Sequence, residues 1–365
     1  MNKREIFETK TYSLKILSPI HIGTGEDIDP MDYVYKDKRL YRISSDSFFK
    51  LLERGGLKER IIKEDVSKLN IKTIAQNIND IFDINNDDYI YYIEIEDNLK
   101  DSFPEKYSNP DAQMQIGLTL RSGGNIIIPG SSIKGAIRTA FLNFLSEKYS
   151  DEDYNHSLQG RNLMLEKDDE RNLKNPINDP FKFVSIADVS IPSVSNKTKV
   201  SNKTKVVEMS RVGPKGNGIP IIREIIVPDK EKDYFLTISI KTNLRDCWGS
   251  GGFRMPRLKK ELKVLNLKSL LEKTDEFYRG LLKKESYYYK RVYPGFDESF
   301  FTDIEKEKGY LLRLGFGCGN LSYTVKSCGK EIKPGKTKFL VKLKNKMLPL
   351  GYAILTEKNE TCTDS

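Results

Sequence analysis

Ser131, Ser132, Lys134 and Arg138 stand near the start of a stretch reading IIIPGSSIKGAIRTAFLNFLS, residues 126–146. Two hydroxyls and two cations a turn apart, beside the unpaired N–H groups of a helix start, have the chemistry of phosphate holding. The elements that would position them follow from the pattern. Ile126 to Ile128 read as a buried strand, Pro129-Gly130 break it, and Ser131 and Ser132 supply the helix cap. Ile133, Ile137, Ala140, Phe141 and Phe144 recur at three- and four-residue spacing and form one apolar stripe. Gly135 leaves room for a close neighbour. The same residues also describe an ordinary capped amphipathic helix with two solvated charges.

Two more stretches carry the same kind of chemistry. The run SPIHIGTG, residues 18–25, follows a first strand (Thr11 to Leu17) and places His21, Gly23 and Gly25 in a turn. A short strand, Leu311 to Leu314, enters Gly315-Phe-Gly-Cys-Gly-Asn, so Gly315, Gly317 and Gly319 alternate along a loop. Three glycines are costly to order unless the chain needs positive φ or close contact. Turns rich in backbone N–H can follow a phosphate backbone without reading sequence. Ile219 to Val227 and Tyr234 to Ile240 read as an apolar hairpin, a thumb-like arm, with Arg211 just before it.

Catalytic motifs are missing. The chain has no GxxxxGK[ST], GxSxG or HExxH pattern, and the GxGxG at 315–319 precedes a strand where a dinucleotide fingerprint opens a helix. Four cysteines without a CxxC pair, and only two histidines, leave no expected zinc site, other metal or cofactor. His21 in its turn, with Asp29 and Asp32 downstream, makes an endoribonuclease the alternative reading: an imidazole base, or carboxylates that bind a metal or orient a 2′-hydroxyl.

The 365-residue chain carries a net charge of +9, which favours an anionic partner. Its charge is segregated. Residues 79–101 hold eight acids against Lys100 alone, whereas residues 254–291 hold twelve Lys/Arg against five Asp/Glu. That arrangement suits a subunit touching nucleic acid on one side and another surface elsewhere. No apolar run approaches the roughly 20 residues that span a bilayer, and MNKREIFETK lacks the apolar core of a signal peptide. The expectation is a cytoplasmic protein without a membrane partner.

Along the chain, a hairpin near residues 32–43, a helix capped by Ser44 or Ser45, and a second helical stretch from Val66 to Phe82 are expected. Residues 150–178 read as a polar insertion or mobile loop with a short helix around Leu163. SNKTKV occurs twice in tandem, at 195–200 and 201–206, as a duplication in an exposed basic loop. A long helix covers 256–292; the aromatics of its tail, Tyr287-Tyr-Tyr, can stack on bases or pack on a sheet. Leu321 to Val325 read as a strand. The organisation expected is residues 1–210, then 211–356, then a loose tail, 357–365.

Four of these stretches together, SPIHIGTG (18–25), IPGSSIKGAIRT (128–139), LGFGCG (314–319) and LPLGY (348–352), resemble the RAMP superfamily of CRISPR proteins. Their order and spacing are most similar to the fifth-subunit branch of the type III-A Csm effector complex. The resemblance spans nearly the whole chain. It implies an α+β fold with an RRM-like, ferredoxin-like core, insertions and a thumb-like hairpin, with a second, degenerate RRM-like half as one option. It implies a non-catalytic subunit that caps the row of backbone subunits and binds the 3′ portion of the CRISPR RNA. The partners implied are that RNA, the backbone RAMP subunit, the small subunit, and host nucleases that trim the 3′ end. The RNA-facing residues implied are His21, Gly23, Gly25, Ser131, Ser132, Lys134, Arg138, Arg211, Gly315, Gly317 and Gly319. Backbone subunits of such complexes cut target RNA with an aspartate after the first strand. Asp29 and Asp32 lie in a comparable region, and neither is matched to that aspartate.

Overall fold

The computed structural model describes residues 7–59, 71–109, 114–149, 155–192, 200–213, 218–241, 256–322, 325 and 338–358. Most of the first SNKTKV copy, the centre of the glycine turn at 213–218, the Trp248 loop and most of the tail lie outside the described residues.

Strands β1 (Phe7–Ile16), β2 (Gly23–Ile28), β3 (Tyr33–Lys36) and β4 (Arg39–Arg42) lead to helix α1 (Ser45–Arg54). Helix α2 (Ile71–Ile81), β5 (Tyr91–Ile95), β6 (Ile116–Thr119), β7 (Arg121–Ser122) and β8 (Asn125–Ile128) precede helix α3 (Gly130–Lys148). After it come β9 (Val184–Ile186), β10 (Val189–Ile191), β11 (Val200–Arg211), β12 (Ile221–Ile226) and β13 (Asp229–Lys241). Helices α4 (Leu267–Val292) and α5 (Ser299–Lys306) are followed by β14 (Tyr310–Arg313), β15 (Phe339–Leu343), β16 (Lys346–Pro349) and β17 (Tyr352–Glu357).

One sheet has the order β14-β17-β1-β13-β9. A larger sheet runs β2-β6-β12-β11-β5-β4-β3, with β15 joined to β11 and β16 to β15, and β10-β8-β7 form a third. Both large sheets draw strands from each side of residue 210, so the division expected there does not separate two sheets. Residues 17–22 carry the chain from the first sheet to the second. Ile20 pins that crossing, its N–H donating to Ile226 O at 3.2 Å and its carbonyl accepting from Ile226 at 2.7 Å.

The stripe read on α3 is its buried face. Ile133, Ile137, Ala140 and Phe141 are at most 2% exposed, and each large apolar side chain so buried stabilises the fold by roughly 1.5–3 kcal/mol. Helices α3 and α4 pack on each other, with α3 against β9 and α4 against β14. Ser44 caps α1 by accepting the Ser47 N–H, and the β3–β4 turn places Asp37 and Lys38 at positive φ.

Several expectations need correction. Strands β12 and β13 do not pair with each other: β12 lies between β11 and β6, and β13 between β1 and β9. The hairpin is formed one strand earlier, by β11 and β12, from Thr204↔Ile226 to Met209↔Ile221. Two apolar runs around Pro228 look like a hairpin, but Pro228 instead turns the chain between sheets. Residues 320–322 form a 3-10 turn rather than the start of a strand. The 155–178 stretch is anchored: Leu158, Leu163, Met164 and Leu173 are buried in the main core. Arg161 there donates to Leu173 O and, at 2.8 Å, to Lys174 O. The long basic helix starts at Leu267, capped by Asn266, after a separate short turn at Lys260–Lys263. Tyr288 and Tyr289 of its tail are buried, and Tyr287 is exposed.

Candidate nucleic-acid interface

Helix α3 begins at Gly130, earlier than the serines. Pro129 is the N-cap residue and offers no side-chain cap. The Gly130 N–H donates to Asp188 Oδ1 at 2.7 Å, so the carboxylate that caps this helix comes from the loop between β9 and β10. The fit requires glycine, because a Cβ there would stand 2.0 Å from Ile186 O. Ser132 and Ile133 both direct their N–H groups at Pro129 O, at 2.9 and 3.3 Å. Ser131 and Ser132 therefore sit inside the first turn and do not cap it. Their hydroxyls stay at the surface, with Ser131 exposed and Ser132 half-buried.

Ser131, Lys134, Gly135 and Arg138 share one helix face by their spacing. They are not equivalent. Arg138 donates to Gln159 O and to Asp179 Oδ2, each at 2.8 Å, and lies over the Phe181 ring. It is thus engaged in holding the 155–181 segment. Lys134 has no ion pair with any described carboxylate, and burial pulls its ammonium below the ordinary value. Gly135 is exposed, and a Cβ built on it would meet nothing within 4 Å. A helical glycine costs about 1 kcal/mol relative to alanine, and no packing among the described residues explains this one.

The first turn and the glycine loop are bonded to each other. Phe316 N–H donates to His21 O at 2.8 Å. Gly315 makes this possible twice over: its φ is +81°, and a Cβ would come within 2.3 Å of the same carbonyl. Gly317 and Gly319 also have positive φ, and Phe339 N–H donates to Gly317 O at 3.1 Å. Arg211 is exposed at the end of β11, in register with Phe339, so the cation borders the loop. Gly23 and Gly25 are exposed beyond His21.

His21 is 5% exposed. Its Nδ1 lies 2.7 Å from Glu224 O, which makes Nδ1 the protonated nitrogen of the neutral ring. Burial lowers its pKa, only partly offset by that hydrogen bond. The turn is thereby presented through its backbone, and the imidazole supports it from below. Asp32 accepts the Asp29 N–H at 3.0 Å and pairs with Arg42 at 3.2 Å. Asp29 accepts from Gln115 at 3.2 Å. Asp32 is thus engaged within the turn after β2, and Asp29 ties that turn to the residue before β6.

Tyr278 joins the helix to the loop. This fully buried residue on α4 directs its hydroxyl at Ala136 O of α3 (3.1 Å) and at Ser322 O (3.2 Å), just past Gly319. Beneath the loop lies a group that sequence reasoning missed. Glu285, 0% exposed, accepts from Arg313, Lys338 and the Tyr352 hydroxyl, all of them buried. Arg313 also donates to Cys318 O at 3.0 Å, inside the loop, and its guanidinium lies 3.9 Å from the Tyr352 ring centroid. Burial pushes the Glu285 carboxyl up, but Arg313 and Lys338 together with their hydrogen bonds hold it below its ordinary value. A signal was present: Glu285 falls within the apolar stripe Leu281, Leu282, Tyr288, Tyr289 of α4, where an acid needs a buried partner.

A fully buried carboxylate with two cations thus fixes the strand that enters the loop, the loop itself and the strand that follows it. The three stretches that sequence reading singled out are one connected structure. Among the described residues, no helix is long and apolar enough to cross a membrane, and no group of three or more His, Cys, Asp or Glu is placed to hold a metal ion.

Comparison with known proteins agrees with this architecture. The chain is 25% identical over 335 residues to CRISPR system Cms protein Csm5 of Methanocaldococcus jannaschii, covering 87% of this chain and 73% of that protein. It is 30% identical over 142 residues to the Streptococcus thermophilus protein of the same name, covering 38% of this chain and 39% of the other. A chain in the cryo-EM structure of a Csm–crRNA–target RNA ternary complex of a type III-A CRISPR-Cas system superposes with a TM-score of 0.68 at 21% identity, covering 96% of this chain and all of that one. The crystal structure of T. onnurineus Csm5 gives 0.62 at 23% identity, with 94% and 99% covered. These solved structures share the mixed α+β, RRM-like fold. The RAMP superfamily model matches residues 13–322, and the chain belongs to the RAMP superfamily.

Proposed function

We propose that the chain is a non-catalytic, CRISPR-RNA-binding subunit of a type III-A, Csm-type effector complex. It caps the row of backbone subunits at the 3′ end of the CRISPR RNA and assists maturation of that end, with host nucleases doing the trimming. Its protein neighbours are the backbone RAMP subunit and the small subunit, and its place of work is the cytoplasm. The observation that carries this reading is the bonding of the three stretches: Phe316 to His21, and Tyr278 to both Ala136 and Ser322. On this reading they form one surface, along which Gly23, Gly25, Gly315, Ser131 and Arg211 are exposed and Lys134 is half-buried. Such a surface holds phosphates without reading bases. The chain's likeness to proteins named Csm5, and to a chain in an RNA-bound Csm complex, supplies the assembly.

The endoribonuclease alternative has less to stand on. A general base must reach its proton, and His21 is buried with one nitrogen committed to Glu224 O. Asp32 is tied to the Asp29 N–H of its own turn, and Asp29 accepts from Gln115.

The test is co-expression of the tagged chain with its neighbouring Csm-type subunits and a CRISPR array, followed by purification and sequencing of bound RNA. The expected result is a complex retaining array-derived RNA, with untrimmed 3′ ends when this chain is omitted. A complete, normally trimmed complex assembled without the chain would overturn the proposal.

A further inference from the structure

We propose that Phe316 is a stacking platform for a base of single-stranded RNA, mounted where the glycine loop meets the first turn. This deepens the RNA-binding reading and rests on it. Single exposed apolar residues are ordinary on protein surfaces; the mounting of this one is not. Phe316 is 41% exposed between Gly315 and Gly317, both at φ +81°. Two left-handed residues turn the chain sharply on either side and leave the side chain at the tip. Its backbone is locked by the 2.8 Å bond to His21 O.

The ring is braced from within. The His21 ring meets it edge-on at 6.1 Å and 89°, and Phe339 packs against it at 5.0 Å and 42°. His21, buried and held neutral, acts here as an apolar brace. A rigid aromatic with part of its surface open loses little entropy when a flat partner arrives. Every base has a π-face, so the contact tolerates any sequence, as expected of a subunit whose RNA partner changes from spacer to spacer. Arg211, in register with Phe339 and exposed, supplies a cation for the phosphate beside the stacked base.

The full-length chain, alone and co-purified with its neighbouring subunits, is titrated with a fluorescein-labelled, mixed-sequence single-stranded RNA at several salt concentrations. Stacking predicts that Phe316→Ala weakens binding about 5- to 100-fold with the salt slope unchanged, whereas Phe316→Trp binds as well as wild type. Arg211→Ala instead flattens the slope. Moving one abasic site along the RNA finds a position that weakens the wild type by the Phe316→Ala factor and costs that variant nothing further. RNA binding by the wild type that Phe316→Ala leaves unchanged overturns the platform alone. Loss of a partner subunit in Phe316→Ala with RNA affinity intact also overturns it, and makes the ring a protein anchor. A wild type that binds no RNA even at low salt in the complex overturns the RNA reading and the platform together.

Discussion

The Asp188 carboxylate accepts the Gly130 N–H at 2.7 Å, so the start of α3 already has an anion supplied by the chain itself. A phosphate at this helix would be drawn to the side face, where Ser131 and Lys134 lie, more than to the axis. Asp188→Ala should cost about 1 kcal/mol of stability by loss of the cap, read by urea unfolding. RNA affinity should hold or rise, because a negative charge has been removed. A drop in affinity in the folded variant would contradict this placement.

Lys134 and Arg138 should separate cleanly. Arg138 is a half-buried partner of Asp179, so Arg138→Ala should lower stability by about 1 kcal/mol and loosen the 155–181 segment to proteolysis. Lys134→Ala should leave stability unchanged and reduce the slope of log affinity against log salt by about 0.7, one phosphate contact. Glu at both positions should weaken RNA binding further. An unchanged slope in a folded double variant would remove this face from the RNA path.

Gly135 offers a test that works in two directions. Gly135→Ala should stabilise the free chain by about 0.5–1 kcal/mol, since the site is helical and open. Gly135→Trp, with the same free surroundings, should weaken RNA binding by filling the approach. Equal RNA affinity in wild type and the Trp variant would mean that nothing comes close to this face.

The apolar stripe of α3, the cap of α1 and the strand entering the glycine loop were legible because each is written in neighbouring residues. What was not legible is long-range. Arg138 looks like a free cation until Asp179 is seen beside it, forty-one positions away. Glu285 and Arg313 could each be flagged as charges within apolar runs, but their pairing with Lys338 and Tyr352 depends on α4 crossing the sheet. The β12–β13 misreading has the same origin. Local pattern identifies two strands around a proline, and only tertiary context assigns them to different sheets. The serines were displaced from the cap because Asp188, fifty-eight positions away, accepts the Gly130 N–H at the helix start.

The Glu285 cluster predicts an acid-sensitive fold. Its folded-state pKa lies below the unfolded value, so the stabilisation is present above that unfolded value and is lost as pH falls through the folded one. Urea unfolding of the wild type should therefore show stability dropping as pH is lowered below 4.5, the group's ordinary value. Glu285→Gln should remove this group's contribution to the slope. Glu285→Ala, which strands two buried cations, should cost about 3–5 kcal/mol. A Glu285→Gln variant whose acid profile matches the wild type would contradict the assignment.

The central claim is that the first turn, the α3 face and the glycine loop form one RNA surface. The most direct measurement is ultraviolet crosslinking of the purified Csm-type complex, with the adducts located by mass spectrometry and the bound RNA sequenced. The account predicts adducts on this chain within residues 18–25, 130–138 and 315–319, all on the 3′ portion of the CRISPR RNA. Efficient RNA adducts on neighbouring subunits, with none in these three stretches, would contradict it.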